Sequence, residues 1–227
     1  LVLVLTAIIG FVIERVAYKP LRNAPRMSAM ISAIGVSYTL QNLVLYITGG
    51  LNQLYPTIPW ISESVTIFGA TTKMVTLVTP VLTIVLVIGL VALINHTKIG
   101  MAMRAVSKDF ETSQLMGINI NSVISTTFVI GSFLAGVGSI LYFTNYSTVI
   151  QTSGAMPGLK AFVAAVFGGI GSIPGAFLGG LLLGIIEIFS RAYISTQLAD
   201  AIVFSVLIVV LLFKPTGILG KKASEKV

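Results

Sequence analysis

Residues 27–62 contain no charged side chain, and neither do residues 74–95, 112–159 and 161–186. A water-soluble surface cannot be built from runs of this length, since soluble domains carry about 25% charged residues and this 227-residue chain carries 9%. Hydrophobic residues make up 56%. The apolar run 29–48 is 20 residues long. At ~1.5 Å per residue it spans about 30 Å, one hydrocarbon thickness. Backbone exposed to lipid must satisfy its own hydrogen bonds, so these runs read as helices. The strict alternation of a membrane barrel is absent. The expected fold class is an all-α, polytopic transmembrane helix bundle. Residues 1–227 are expected to form one body, with a basic tail at 214–227. Crossings are expected at 29–48, 74–95, 123–143 and about 193–213. The chain opens on Leu1, and residues 1–13 resemble the second half of a membrane helix. At least one further helix is therefore expected to precede them.

Several chemistries drop out. There is no cysteine and a single histidine, His96, so thiolate or imidazole metal clusters and cysteine nucleophiles are not expected. Neither a phosphate-binding G-x-x-x-x-G-K-[ST] loop nor G-x-S-x-G nor H-E-x-x-H occurs; Pro215 stands where the first glycine before Gly220-Lys221 should be. The chain does not read as an enzyme. Its net charge of +7 would suggest nucleic acid in a soluble protein. In a membrane protein such an excess is topological, and no nucleic-acid partner is expected.

The basic residues set an orientation. Arg15, Lys19, Arg22, Arg26, Lys98, Arg104, Lys108, Lys214, Lys221, Lys222 and Lys226 fall on one side of the expected crossings. Lys73, Lys160 and Arg191 fall on the other. The first group is expected in the cytoplasm, and residues 49–73, with Pro56, Pro59 and the lone Trp60, outside. Parity then requires residues 161–190 to leave and return to the outer face. A re-entrant hairpin or a double crossing with one short leg satisfies this. The glycine-rich stretch Gly168, Gly169, Gly171, Pro174 and Gly175 is the expected bend. Such backbone is tolerated at membrane depth only inside protein or beside a cavity. Gly175→Leu is expected to be far more damaging than Gly10→Leu.

Small residues recur at four-residue spacing in Gly171/Gly175/Gly179, Gly131/Ala135 and Ser132/Gly136. This lets helices approach closely and need imply nothing beyond packing. Gly35, Tyr38, Gln41 and Asn42 place polar groups mid-span, either to line a substrate pathway or to bond a neighbouring helix. Glu187 and Arg191, at i and i+4, suit an ion pair on one helix face. Glu187 and Asp200 are the carboxylates expected within the membrane. In the 96–122 connection, Asp109 suits an N-cap, Glu111 the first turn and Gly117 a C-terminal stop. A surface helix of about seven residues follows, carrying Phe110, Leu115 and Met116 for docking to the membrane or to a partner.

Arg104-Ala105-Val106 followed by Leu115-Met116-Gly117-Ile118-Asn119 resembles the "RA…LLGIN" loop of branched-chain amino acid ABC transporter permeases. Glu14-Arg15-Val16-Ala17-Tyr18-Lys19-Pro20-Leu21-Arg22 is similar to the "ERVAYRPLR" run of the H-type subunit of the Liv importer family. Residues 31–37 with Leu40-Gln41-Asn42, and the glycine-rich stretch 158–180, agree with the same family. Ser107-Lys108-Asp109 stands where Ala-Glu-Asp is usual, and Met116 where leucine is usual. The resemblance implies a heteromeric importer in the cell membrane. H-type and M-type permeases form its pathway, two cytoplasmic ATPase subunits drive it, and an external binding protein delivers the amino acid. ATP would be bound by the ATPases, with no cofactor in this chain. Arg104, Lys108, Asp109, Phe110, Glu111, Leu115, Met116 and Gly117 would form the coupling element on the ATPase. The same architecture could carry urea, amides or another small polar solute. An ion-coupled secondary carrier with a broken helix is the competing class, and the scarcity of intramembrane carboxylates weighs against it.

Overall fold

The computed structural model describes residues 1–22, 25–56, 63–67 and 70–220. Helices dominate, and among the described residues the strands form two short two-stranded pairs with no closed sheet. Pro59, Trp60, Lys221, Lys222 and Lys226 lie outside the described residues. The chain divides into two compact units, Leu1–Thr152 and Ser153–Val227.

In the first unit, α1 (Val2–Ile13) runs into a π-helical segment, Glu14–Tyr18, and a 3₁₀ turn, Lys19–Leu21. Helix α2 (Arg26–Thr48) starts after Pro25 and stops at Gly49, whose φ of +62° is the left-handed cap that favours glycine. Strand β1 (Gln53–Leu54) pairs with β4 (Thr148–Val149), while β2 (Ser64–Ile67) and β3 (Ala70–Lys73) form an antiparallel hairpin. Next come α3 (Met74–His96), α4 (Lys98–Lys108), α5 (Phe110–Leu115) and α6 (Ile120–Asn145). The uncharged runs thus became 23-, 23- and 26-residue helices. Each is long and apolar enough to cross a bilayer.

Helices α1 and α6 pack closely through small residues. A side chain at Gly10 would collide with Ser132, and one at Gly136 with Thr6. The expectation that Gly175→Leu is far more damaging than Gly10→Leu loses its ground, since both glycines sit at close approaches. The Ser132/Gly136 spacing is a packing seam, and Gly10 is its counterpart on α1.

The second unit comprises α7 (Ala155–Gly168), α8 (Ile173–Tyr193) and α9 (Ala199–Phe213). Helices α7 and α8 form an antiparallel hairpin around a turn at 169–172, which meets the expected bend. It begins at Ala155, earlier than the charge pattern suggested. Gly169 and Gly171 adopt φ of +110° and +90°, so both need glycine's freedom. The legs meet through small residues: a Cβ on Gly175 would strike the Gly168 carbonyl, and one on Gly179 the Ala164 carbonyl. Ser172 caps α8 by accepting from the Gly175 N–H at 3.2 Å, and Pro174 occupies the first turn where its missing donor costs nothing. The unit's core is Val163, Phe167, Leu183 and Val203. The last helix starts at Ala199 rather than near Tyr193, because α8 continues to Tyr193 and a turn intervenes.

After α9 the chain folds back to the hairpin tip. The Ile218 and Leu219 N–H groups donate to the Phe167 and Gly168 carbonyls at 3.0 and 2.9 Å. They satisfy acceptors that the end of α7 leaves open. The tip therefore lies level with the end of α9. If α9 crosses the membrane, the hairpin crosses with it, and the 14-residue α7 is its short leg.

Candidate functional site

The α3–α6 connection is more structured than its sequence suggested. Thr97 ends α3 and caps α4, its hydroxyl accepting from the Gly100 N–H at 3.1 Å. Gly100 is buried, and any side chain there would run into the Ile94 backbone. This close approach folds α4 back on the end of α3. Arg104, on α4, reaches the Asn95 side chain and carbonyl through long contacts of 3.4 and 3.5 Å.

Asp109 is extended between α4 and α5 and serves both. Its N–H closes α4 on the Ala105 carbonyl, and its carboxylate accepts from the Thr112 N–H at 3.1 Å. The buried Ser113 hydroxyl donates back to the Asp109 carbonyl at 2.6 Å. At the other end Gly117 takes φ +81°, and the Gly117 and Ile118 N–H groups close on the Gln114 and Ser113 carbonyls. A six-residue helix is marginal alone, and these caps at both ends hold it. Its apolar side chains face outward: Phe110 is 47% exposed, Leu115 87% and Met116 78%. Lys108 and Glu111 are exposed beside them.

Beneath this surface, the π-helical segment brings Glu14 into the protein. Glu14 is fully buried. It pairs with Arg22, and Ser125 Oγ donates to its Oε2 at 2.6 Å. Arg22 also donates to the Asn121 side chain. The network ties the segment after α1 to the first turns of α6, and the Tyr18 and Phe128 rings, 5.1 Å apart, reinforce it.

In the second unit, Lys160 of α7 bridges Glu187 of α8 at 2.8 Å and Asp200 of α9 at 2.7 Å. Arg191 meets Glu187 at 2.5 Å. The expected Glu187–Arg191 pair is therefore half of a four-residue cluster joining all three helices. On α2, Gly35, Tyr38 and Asn42 are exposed, and Gln41 is half-buried. Gln41 Nε2 donates to Ser37 Oγ at 3.2 Å, and Asn42 Nδ2 to the Tyr38 carbonyl at 2.8 Å. These donors are satisfied within their own helix.

Residues 1–211 match the family described as branched-chain amino acid transport system / permease component. The chain is 43% identical to the high-affinity branched-chain amino acid transport system permease protein LivH of Salmonella typhimurium, over 99% of this chain and 74% of the relative. It belongs to this permease family. The LivH protein of Escherichia coli K12 matches at 43% with the same coverage, and BraD of Pseudomonas aeruginosa at 42%, also over 99% and 74%. The autoinducer 2 import system permease LsrC of Yersinia pseudotuberculosis is 24% identical over 70% of this chain and 45% of its own length. No solved structure shows a significant match.

This permease is thus a multi-pass membrane protein, and its relatives are components of a multi-part transport system. Its fold gathers the residues predicted for coupling, 104–117, on the α4–α5 surface. The glycines predicted for the bend come together at the hairpin tip. Sequence reasoning missed Glu14 as a buried group and so undercounted the buried carboxylates. It also missed α4, whose Thr97 cap and following 3.6-residue periodicity were legible.

Proposed function

We propose that this chain is the H-type permease of an ATP-driven importer for branched-chain amino acids, leucine, isoleucine and valine. It forms the pathway with an M-type permease, is driven by two cytoplasmic ATPase subunits, and is supplied by an external amino-acid-binding protein. ATP is bound by the ATPases, not by this chain. The observation that carries the reading is the near-full-length identity to permeases named for high-affinity branched-chain amino acid transport. The α5 surface supports it, since a rigid, capped helix with exposed apolar side chains suits a groove on an ATPase. Arg104, Lys108 and Glu111 orient that contact, and Phe110, Leu115 and Met116 anchor it, with Asp109 and Gly117 fixing the helix ends. Gly35, Tyr38, Gln41 and Asn42 contribute to the substrate pathway, their remaining acceptor oxygens available to a polar solute. The basic loops and the tail face the cytoplasm.

A second reading keeps the architecture and changes the cargo. The likeness to an autoinducer 2 permease favours it, because related chains are named for a different solute. Reconstitution of the complex with its binding protein in proteoliposomes separates the two. ATP-dependent accumulation of labelled leucine supports the first; a binding protein that ignores leucine, isoleucine and valine overturns it. Coupling is tested in the same system. Leu115→Asp places a charge in a desolvated anchor, where truncations alone cost about 2 kcal/mol or more. It should abolish substrate-stimulated hydrolysis or ATPase retention while the membrane body still folds, whereas Lys108→Ala should be mild. Retention of both by Leu115→Asp would exclude this helix as the coupling element.

A further inference from the structure

We propose that the cleft between the segment after α1 and the start of α6 binds the phosphate headgroup of an anionic phospholipid. The cleft encloses about 530 Å³ and is walled by Arg15, Lys19, Asn119, Asn121 and Ser122, with Phe11 and Val129 below. No carboxylate lines it. Glu14, the acid nearest in sequence, is turned away and consumed by Arg22 and Ser125. The Arg15 and Lys19 side chains make no ion pair or hydrogen bond among the described residues, so two positive charges stand uncompensated.

The neutral groups reinforce the bias. The Asn121 side-chain oxygen already accepts from Arg22, and the Asn119 oxygen already caps the Ser122 N–H at 3.3 Å. Each asparagine still has its NH₂ group, a donor, for the cleft. Two cations and two amide donors with no competing carboxylate select an oxyanion. Phosphate, with several acceptor oxygens, uses such a set most fully.

The surface below the cleft selects a lipid over a free anion. Val4, Ile8, Phe11 and Arg15 recur at i, i+4, i+7 and i+11, one face of a helix. The three apolar members are 62%, 52% and 41% exposed. An exposed apolar stripe therefore runs down α1 from the cationic end, as an acyl chain would from its headgroup. Basic clusters beside a membrane helix attract anionic lipid in this way. A neighbouring cleft shares Lys19, Asn119 and Asn121 and reaches Phe110, Gln114 and Gly117. A headgroup seated here thus borders the α5 surface.

The test uses the whole permease complex, purified and exchanged into nanodiscs of equal parts phosphatidylglycerol and phosphatidylcholine. Native mass spectrometry then counts retained phosphatidylglycerol. R15Q/K19Q should lose about twenty- to thirtyfold in retention, about fivefold for each basic residue at an anionic surface. K98Q/K214Q, which removes two basic residues outside the cleft, should retain it. Matched thermal melts of both variants confirm folding. Inorganic phosphate at constant ionic strength should not displace the lipid. Equal retention by R15Q/K19Q and the parent would overturn the site. Full displacement by inorganic phosphate would overturn its assignment to a lipid.

Discussion

Glu14 illustrates what a single buried charge asks of its surroundings. An isolated carboxylate removed from water would cost many kcal/mol, so burial is tolerated only with a charge partner and hydrogen bonds. Glu14 has Arg22 and Ser125. Removing one partner of such a pair typically costs about 3–5 kcal/mol, because the remaining charge stays buried and uncompensated. Glu14→Gln should therefore lower the unfolding temperature of the detergent-purified protein sharply. The double variant Glu14→Gln with Arg22→Gln should recover part of that loss, since it leaves no orphan charge. Double-variant melts no better than the single would show that the cost lies in packing rather than in the pair. This residue was illegible in sequence for a physical reason. An acid at the end of an apolar run looks like a solvated boundary. Only the π-helical register after Ile13, which no propensity scale specifies, carries it inside.

At the scale of elements, glycine does two different jobs. At Gly169 and Gly171 it supplies positive φ, and at Gly10, Gly168, Gly175 and Gly179 it permits close approach. The second group makes the sharper prediction. Gly175→Leu and Gly10→Leu should both reduce the monodisperse yield on size exclusion strongly, since each drives a side chain into a facing helix. Gly131→Ala and Gly184→Ala meet nothing within 4 Å and should be neutral or mildly stabilising, as alanine favours helix over glycine. Should Gly10→Leu behave like the parent, the α1–α6 seam is wrong. Element existence was largely readable, because an uncharged run of 20 residues has few other solutions. The Asp109 and Gly117 caps were readable too, since cap chemistry is local. Boundaries were not. Ala155 precedes the run assigned to the hairpin because its start follows from packing of α7 on α8, a tertiary fact absent from local sequence.

For the whole molecule, the question is which way it faces. Within the first unit, α6 separates two ends by 26 residues, about 39 Å at ~1.5 Å per residue. Asn119, the α5 surface and the Arg15–Arg22 segment gather at one end. At the other, β1 pairs with β4 and Lys73 donates to the Asn145 carbonyl at 2.9 Å. Basic residues crowd the first end, and of the eight Lys and Arg in this unit only Lys73 belongs to the second end. Insertion retains such clusters in the cytoplasm, so the Arg15–Arg22 end should face inward. The chain has no cysteine, which makes single introduced thiols unambiguous reporters. Ser107 and Gln53 are both exposed and lie at opposite ends. With a membrane-impermeant maleimide, Gln53→Cys should label in intact cells. Ser107→Cys should label only after permeabilisation and removal of peripheral subunits, which would otherwise shield the α4–α5 surface. Labelling of Ser107→Cys but not Gln53→Cys in intact cells would invert the molecule and place α5 on the wrong side for the proposed contact with a cytoplasmic ATPase.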